Sequence, residues 1–191
     1  MHLVVISADG GFFAHLHPAR VAPGSYRIGL TPDRPGPYTV YAEVERRDSG
    51  TQLIARSFSV SGPALAGAAE VIGLGPRQIG GLSVDVRNTR ATLRAGEPTT
   101  LSMSFSAGGI PLTTVEPWLG MAGHLIVRSD DGAIFGHVHA VGAMSAASTG
   151  RYGPEIRFAY TFPQPGVYRL WAQFQYTGQI VSVPILLTVA P

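Results

Sequence analysis

The 191-residue sequence contains no cysteine, which excludes disulfides, thiolate catalysis and cysteine-type zinc or iron-sulfur centres. Lysine is absent too, so every basic side chain is an arginine. Charged residues make up only 14% of the chain, and Arg46-Arg47 is the only adjacent basic pair. No basic stripe suited to nucleic acid exists, and a pI of about 9.2 reflects a small excess of arginine. No apolar run approaches the roughly 20 residues of a membrane-spanning helix. The opening residues read as a strand rather than as a signal peptide. Serine-hydrolase and P-loop patterns are lacking.

Apolar residues make up 45% of the chain, and glycine and proline are abundant, at 24 and 15 residues. Short alternating runs separated by turn residues point to an all-β sandwich or barrel. A string that occurs twice organises the chain. His2-Leu3-Val4-Val5-Ile6-Ser7-Ala8-Asp9-Gly10-Gly11-Phe12-Phe13-Ala14-His15-Leu16-His17 returns, without a gap, as residues 124–139, with His124, His137 and His139 in the histidine positions. All six histidines of the protein lie in these two strings.

Asp9-Gly10 and Asp131-Gly132 are two-residue hairpin signals between apolar, β-branched runs. With the turns there, Ala8 faces Gly11 and Asp130 faces Ala133. His2 then lies opposite His17 and His124 opposite His139. Residues two apart share a strand face, so His15 and His137 join these pairs, and three imidazoles converge per repeat.

Segments 25–30, 38–44 and 53–60 follow the first hairpin as strands, and 156–160 and 168–174 match the first two of these. Residues 81–87, 99–106 and 112–116 are extra strand-like segments before the second hairpin. The first hairpin has no such segments before it, and the expectation is that upstream residues, an export signal among them, complete it. The predicted architecture is two tandem immunoglobulin-like β-sandwich domains related by the repeat. The first covers 1–61 and lacks its N-terminal strands, 62–81 is a linker, and 82–191 is the second. The edge left in the first repeat calls for a cover from missing residues, a second copy of the chain or an envelope assembly partner. The loop 140–154 is longer than its counterpart and is a candidate cover for a site. Tyr38 and Tyr168, each entering a strand after a Gly turn, read as packing residues or as the corner tyrosine of an immunoglobulin-like sandwich. Tyr41 and Trp171 read as packing residues on the opposite face.

A single histidine is usually an ordinary half-buried side chain. Three rings beside Val4 and Phe13, or Ile126 and Phe135, are partly desolvated and repel one another when protonated, and a cation relieves both problems. His2, His15, His17, His124, His137 and His139 are therefore the candidate metal ligands. Imidazoles without thiolate or carboxylate suit copper(II), with zinc as second choice, and argue against calcium and magnesium. Three ligands leave an open position for chemistry. Cupins also use a His-x-His pair, but the Glu they need soon afterwards is absent. Met121, three residues before His124, is either a core methionine or an axial ligand.

The strings around His2, His15 and His17 and around His124, His137 and His139 are each followed by Pro-Gly-x-Tyr, at Pro35 to Tyr38 and Pro165 to Tyr168. Together they resemble the YtkA-like family of exported bacterial β-sandwich proteins associated with copper and other heavy metals. The resemblance implies an extracytoplasmic location, in the periplasm or cell envelope, and a link to copper. His15-Leu16-His17 and His137-Val138-His139 also resemble the His-x-His of copper,zinc superoxide dismutases, whose copper has four histidine ligands. With three per repeat and no zinc cluster, the similarity implies the copper-only form.

The expected function is a copper-binding envelope protein acting as a copper-only superoxide dismutase. Arg128, on the His124 face, is the candidate guide for the anion, or a solvated surface arginine; its counterpart is Ile6. The alternative is copper storage, delivery or resistance without turnover, with a copper donor or acceptor as partner. A structural staple and a zinc hydrolase are further readings, the latter lacking a well-spaced general base.

Overall fold

The computed structural model describes residues 1–46, 48, 50–63, 73–142 and 150–191. It is all-β, with no helix among the described residues, and it divides into two compact units, Met1–Glu70 and Val71–Pro191. Among the described residues, no helix is long and apolar enough to cross a membrane.

The first unit contains β1 (His2–Ser7), β2 (Phe13–Leu16), β3 (Ala19–Ala22), β4 (Ser25–Arg27), β5 (Gly36–Arg46) and β6 (Gly50–Val60). Four of these form one antiparallel sheet in the order β2-β1-β5-β6, while β3 and β4 pair only with each other. β4 is shorter than the 25–30 strand expected from the sequence.

The second unit contains β7 (Gly75–Ile79), β8 (Leu82–Asn88), β9 (Pro98–Ala107), β10 (Ile110–Pro111), β11 (His124–Ser129), β12 (Phe135–His139), β13 (Glu155–Thr161), β14 (Gly166–Tyr176) and β15 (Gln179–Val189). One sheet has the order β12-β11-β14-β15, matching the four-stranded sheet of the first unit position for position. The other runs β10-β9-β8-β7, with β13 also paired to β9. β8, β9 and β13 bury alternate residues, the pattern of strands with one face on a core. Val84, Met103, Phe105 and Phe158 meet Leu125, Leu170, Phe174 and Ile185 in a single sandwich-like core, with the Phe105 and Phe174 rings 4.6 Å apart. β11 is buried along its whole length, because its second face is covered as well.

Two expectations are corrected here. Residues 75–79, assigned to the linker, form β7, whose Arg77 donates to the Pro184 carbonyl at 2.7 Å and so ties β7 to β15. Gly and Pro within that stretch masked a short edge strand. The segment matching β13, here β4, does not join a large sheet, since the first unit has no counterpart of β9 among its described residues. Parts of the expected linker (64–72) and of the 140–154 loop (143–149) lie outside the described residues, as do Arg47 and Ser49.

The tip of each repeated hairpin is a four-residue loop rather than a two-residue turn. Ser7 N–H donates to the Phe12 carbonyl at 3.1 Å and Gly10 N–H to the Ser7 carbonyl at 2.9 Å; Ser129, Ile134 and Gly132 repeat the pattern at 3.0 and 2.9 Å. A two-residue type I′ turn needs positive φ at both positions, and here Gly10 (71°) and Gly132 (75°) adopt it while Asp9 and Asp131 do not. Lengthening the loop by one residue on each side leaves the register unchanged. Side chains complete the tip: the Ser129 hydroxyl donates to Asp131 Oδ1 at 2.5 Å and accepts from Ile134 N–H at 2.9 Å, while Ala133 N–H donates to Asp131 at 3.0 Å. Ser7, Asp9, Gly11 and Phe12 make the same set. The Ser129 hydroxyl and the Ala133 N–H hold the Asp131 carboxyl below its ordinary value of 3.8, against slight desolvation. Desolvation raises that of Asp9, but bonds from Ser7, Gly11 and Arg34 outweigh it, so Asp9 is also lowered.

Tyr38 and Tyr168 are both 1% exposed, and their hydroxyls donate to the Arg34 carbonyl at 2.6 Å and the Gln164 carbonyl at 2.8 Å. Each therefore packs and also bonds four residues upstream, pinning the chain where it enters β5 or β14. Burial raises the Tyr168 pKa, so the phenol remains a donor at neutral pH.

Tyr168→Phe leaves the Gln164 carbonyl without this donor, and the urea midpoint should fall by the equivalent of about 1 kcal/mol with an unchanged slope. The carboxyls of Asp9 and Asp131 are depressed on folding, so they stabilise the fold above their unfolded pKa and lose that contribution as pH falls through the folded one. Acid titration followed by circular dichroism should therefore show a shallower loss below about pH 4 in Ser7→Ala/Ser129→Ala than in the parent, because the variant has less left to lose.

Candidate metal centre

The register expected from the sequence is the one found. Val4 pairs with His15 and Leu3 with Leu16 on β1 and β2; His124 pairs with His139 and Ile126 with His137 on β11 and β12. All six histidines gather into two groups of three, each with one ligand atom per residue and all such atoms within 4.8 Å of one another.

In the first centre, His2 Nδ1 is 3.2 Å from His15 Nε2 and 3.1 Å from His17 Nε2. In the second, His124 Nδ1 is 3.0 Å from His137 Nε2, and the His139 ring centroid is 4.9 Å from that of His124 and 5.2 Å from that of His137. With metal–nitrogen bonds of about 2.0–2.1 Å, ligands at a right angle stand about 2.8–3.0 Å apart and tetrahedral ligands about 3.3–3.4 Å apart. The three nitrogen pairs at 3.0–3.2 Å fall between these limits, and the remaining ligand atoms lie within 4.8 Å, close enough for each triad to converge on one ion.

The tautomer of His124 supports the same reading. Its Nε2 lies 3.1 Å from the Trp118 carbonyl oxygen, which can only accept, so Nε2 carries the proton. In the neutral ring Nδ1 then holds the lone pair, and Nδ1 faces His137. Fixing a histidine by an outer N–H to carbonyl bond is the usual support for a metal ligand. The Trp118 indole also packs edge-on against the His124 ring, with centroids 4.8 Å apart at 78°.

Trp118 is delivered by a tight turn. Leu119 (φ 53°) and Gly120 (81°) both take positive φ, and the Trp118 and Met121 backbones bond to each other at 2.9 and 3.1 Å. A leucine in that conformation is strained, which marks a position over-determined by its surroundings. Glu116 N–H, bonded to the Gln175 carbonyl at 2.8 Å, anchors the segment to β14. Met121 is 5% exposed and lies outside the inter-sheet core cluster, in the turn next to His124. Sequence reasoning missed Trp118; the signal was an aromatic before a Leu-Gly pair, six residues ahead of a ligand.

Neighbours on β5 and β14 extend each centre across its sheet. His2 pairs with Glu43 and Val4 with Tyr41; His124 pairs with Gln173 and Ile126 with Trp171. Tyr41 is 2% exposed and Trp171 5%, which agrees with a packing role on the histidine face. Arg128 is 6% exposed, so it is not a solvated surface arginine. It pairs with Phe135 and Arg169, one same-face step along β11 from Ile126 and His137. Burial follows from its place on the central strand, where Ile6, 1% exposed, is the counterpart.

Gly123 precedes His124 because its backbone runs against β14. A Cβ there would lie 2.7 Å from the Phe174 ring and 2.9 Å from the Gln173 carbonyl oxygen, and Phe174 is 1% exposed and cannot retreat. Gly123→Ala should therefore cost about 1–3 kcal/mol in urea unfolding, by overpacking. Because the start of β11 must shift, it should also weaken metal uptake at the second centre, read by titration calorimetry, without affecting the first.

A family model described as "domain of unknown function (DUF8832)" matches residues 77–191, more than half of the chain, from within β7 to two residues past β15 and including Trp118, His124, His137 and His139. No curated protein and no solved structure matches the chain. On the extent of that match, the chain belongs to the DUF8832 family.

Proposed function

We propose that this protein binds copper, one ion at each three-histidine centre, and that the bound metal turns over as a copper-only superoxide dismutase. The observation that carries the metal reading is the convergence of His124 Nδ1 and His137 Nε2 at 3.0 Å, with the His124 proton held on the far side by Trp118. An all-imidazole donor set without sulfur favours copper(II), with zinc(II) second. Copper there would accept an electron from one superoxide and return it to another, so that two superoxides and two protons give dioxygen and hydrogen peroxide. The chain's own part is to hold three imidazoles on a stiff β wall and leave the remaining coordination positions open.

Arg128 has the charge to draw an anion towards the second centre, and its burial strengthens its field nearby. The same burial limits direct contact with solvent, so in this reading Arg128 acts through its field. Storage or delivery without turnover is the second reading. It is favoured by the first centre, where an uncharged Ile6 replaces the guide.

The buried tyrosines bonded four residues upstream support an immunoglobulin-like plan for both repeats. The resemblance to exported heavy-metal proteins supports a place in the bacterial envelope, with a second copy or an assembly partner against the first unit. Superoxide, or a copper donor or acceptor, is the expected partner.

Copper-loaded protein should accelerate superoxide decay in pulse radiolysis well above the buffer control with chelator-trapped copper. His137→Ala and His15→Ala should each abolish the share carried by their own centre. Stoichiometric copper uptake with no acceleration would leave storage and remove the enzyme.

A further inference from the structure

The histidines repeat faithfully, but the charges around them do not. On β5, Glu43 pairs with His2 and Glu45 lies one same-face step beyond it. The matching positions on β14 are Gln173, paired with His124, and Gln175. Two carboxylates in the first unit are thus two amides in the second. Gln173 Nε2–H donates to Ser182 Oγ at 3.0 Å, and where β15 offers that hydroxyl, β6 has Leu53 opposite Glu43.

The other end of the same face differs in the opposite sense. The second unit places Arg128 beside Arg169, whereas the first has Ile6 beside Thr39. Arg169 is offset by Asp130, 3.2 Å away, while Arg128 is buried on the histidine face. Glu116, the carboxylate on the segment over the second centre, accepts from Gly178 N–H at 3.0 Å. The first centre thus has an acidic flank and the second a basic one.

We infer that the two centres are unequal: Glu43 and Glu45 make the His2 centre selective for a divalent cation, whereas Arg128 and the two amides bias the His124 centre towards the monovalent cuprous ion. This rests on the metal reading above. A carboxylate near a metal stabilises the higher charge more than the lower, and a nearby guanidinium penalises the higher charge more. Neither carboxylate belongs to the group of mutually close ligand atoms, so Glu43 and Glu45 are positioning residues that act through charge. In a protein with both centres filled, copper(II) collects at the first and copper(I) at the second.

The test uses full-length protein with one centre disabled, His137→Ala to leave the first and His15→Ala to leave the second. Each is titrated with copper(II) and, anaerobically, with copper(I), against chromophoric chelators. The His137→Ala protein should show the higher ratio of copper(II) to copper(I) affinity. Adding Glu43→Gln and Glu45→Gln to it should lower copper(II) affinity roughly 10- to 100-fold, the usual scale for outer partners of a ligand, with a much smaller loss for copper(I). Gln173→Glu in the His15→Ala protein should shift the ratio the other way, a gain that a misfolded variant would not show. Equal ratios at the two centres, or equal losses for both ions on removing the carboxylates, would overturn the inequality and leave metal binding standing. Wild-type protein that takes up neither ion would overturn the metal reading and this inference together.

Discussion

Everything at the two centres depends on the register of one antiparallel hairpin. Side chains alternate across a strand with period 2, so a slip of one residue would send His137 and His139 to the opposite face from His124. The register is locked at the tip, where Ser129 and Asp131 satisfy the loop N–H groups, and again along β11, where Leu125 and Val127 are committed to the core. The histidines are thereby assigned to the remaining face. A Ser-x-Asp-Gly tip five or more residues from the histidines is therefore as much a part of the centre as the imidazoles.

A second constraint is the burial of β11 from both sides. The sandwich-like core takes one face, and Trp118, from the segment before His124, lies against the His124 ring on the other. Removing water from the His124 ring leaves its second nitrogen in need of a partner, and the Trp118 carbonyl supplies it. Burial, hydrogen-bond satisfaction and tautomer selection are consequences of the same packing. The strained Leu119 and the tight Gly123 are what the backbone accepts in order to bring that segment so close.

The two copies separate what the hairpin needs from what each centre adds. Both retain the tip, the buried tyrosine bonded four residues upstream and the histidine spacing. They differ at the adjacent strand, Glu43 against Gln173, Tyr41 against Trp171, and at Ile6 against Arg128. Geometry is thus held constant while the electrostatic surroundings vary.

Much of this was legible in the linear sequence, because hairpins are local. Asp-Gly between apolar runs located both tips, and the two-residue periodicity put His2, His15 and His17, and His124, His137 and His139, on common faces. The loop length was misjudged by one residue on each side without harm, since register depends on the symmetry of the extension. By itself the sequence determined an all-β chain, a repeated hairpin and two triads of imidazoles. Only the tertiary structure decided that residues 75–79 pair as an edge strand, that Arg128 is buried, and that Glu43 and Gln173 adjoin the centres. It alone brought Trp118 onto His124. The physical reason is range: alternation and turn chemistry act within a few residues, whereas burial, cross-sheet neighbours and the outer hydrogen bond of a ligand arise from segments that meet only when the sheets close.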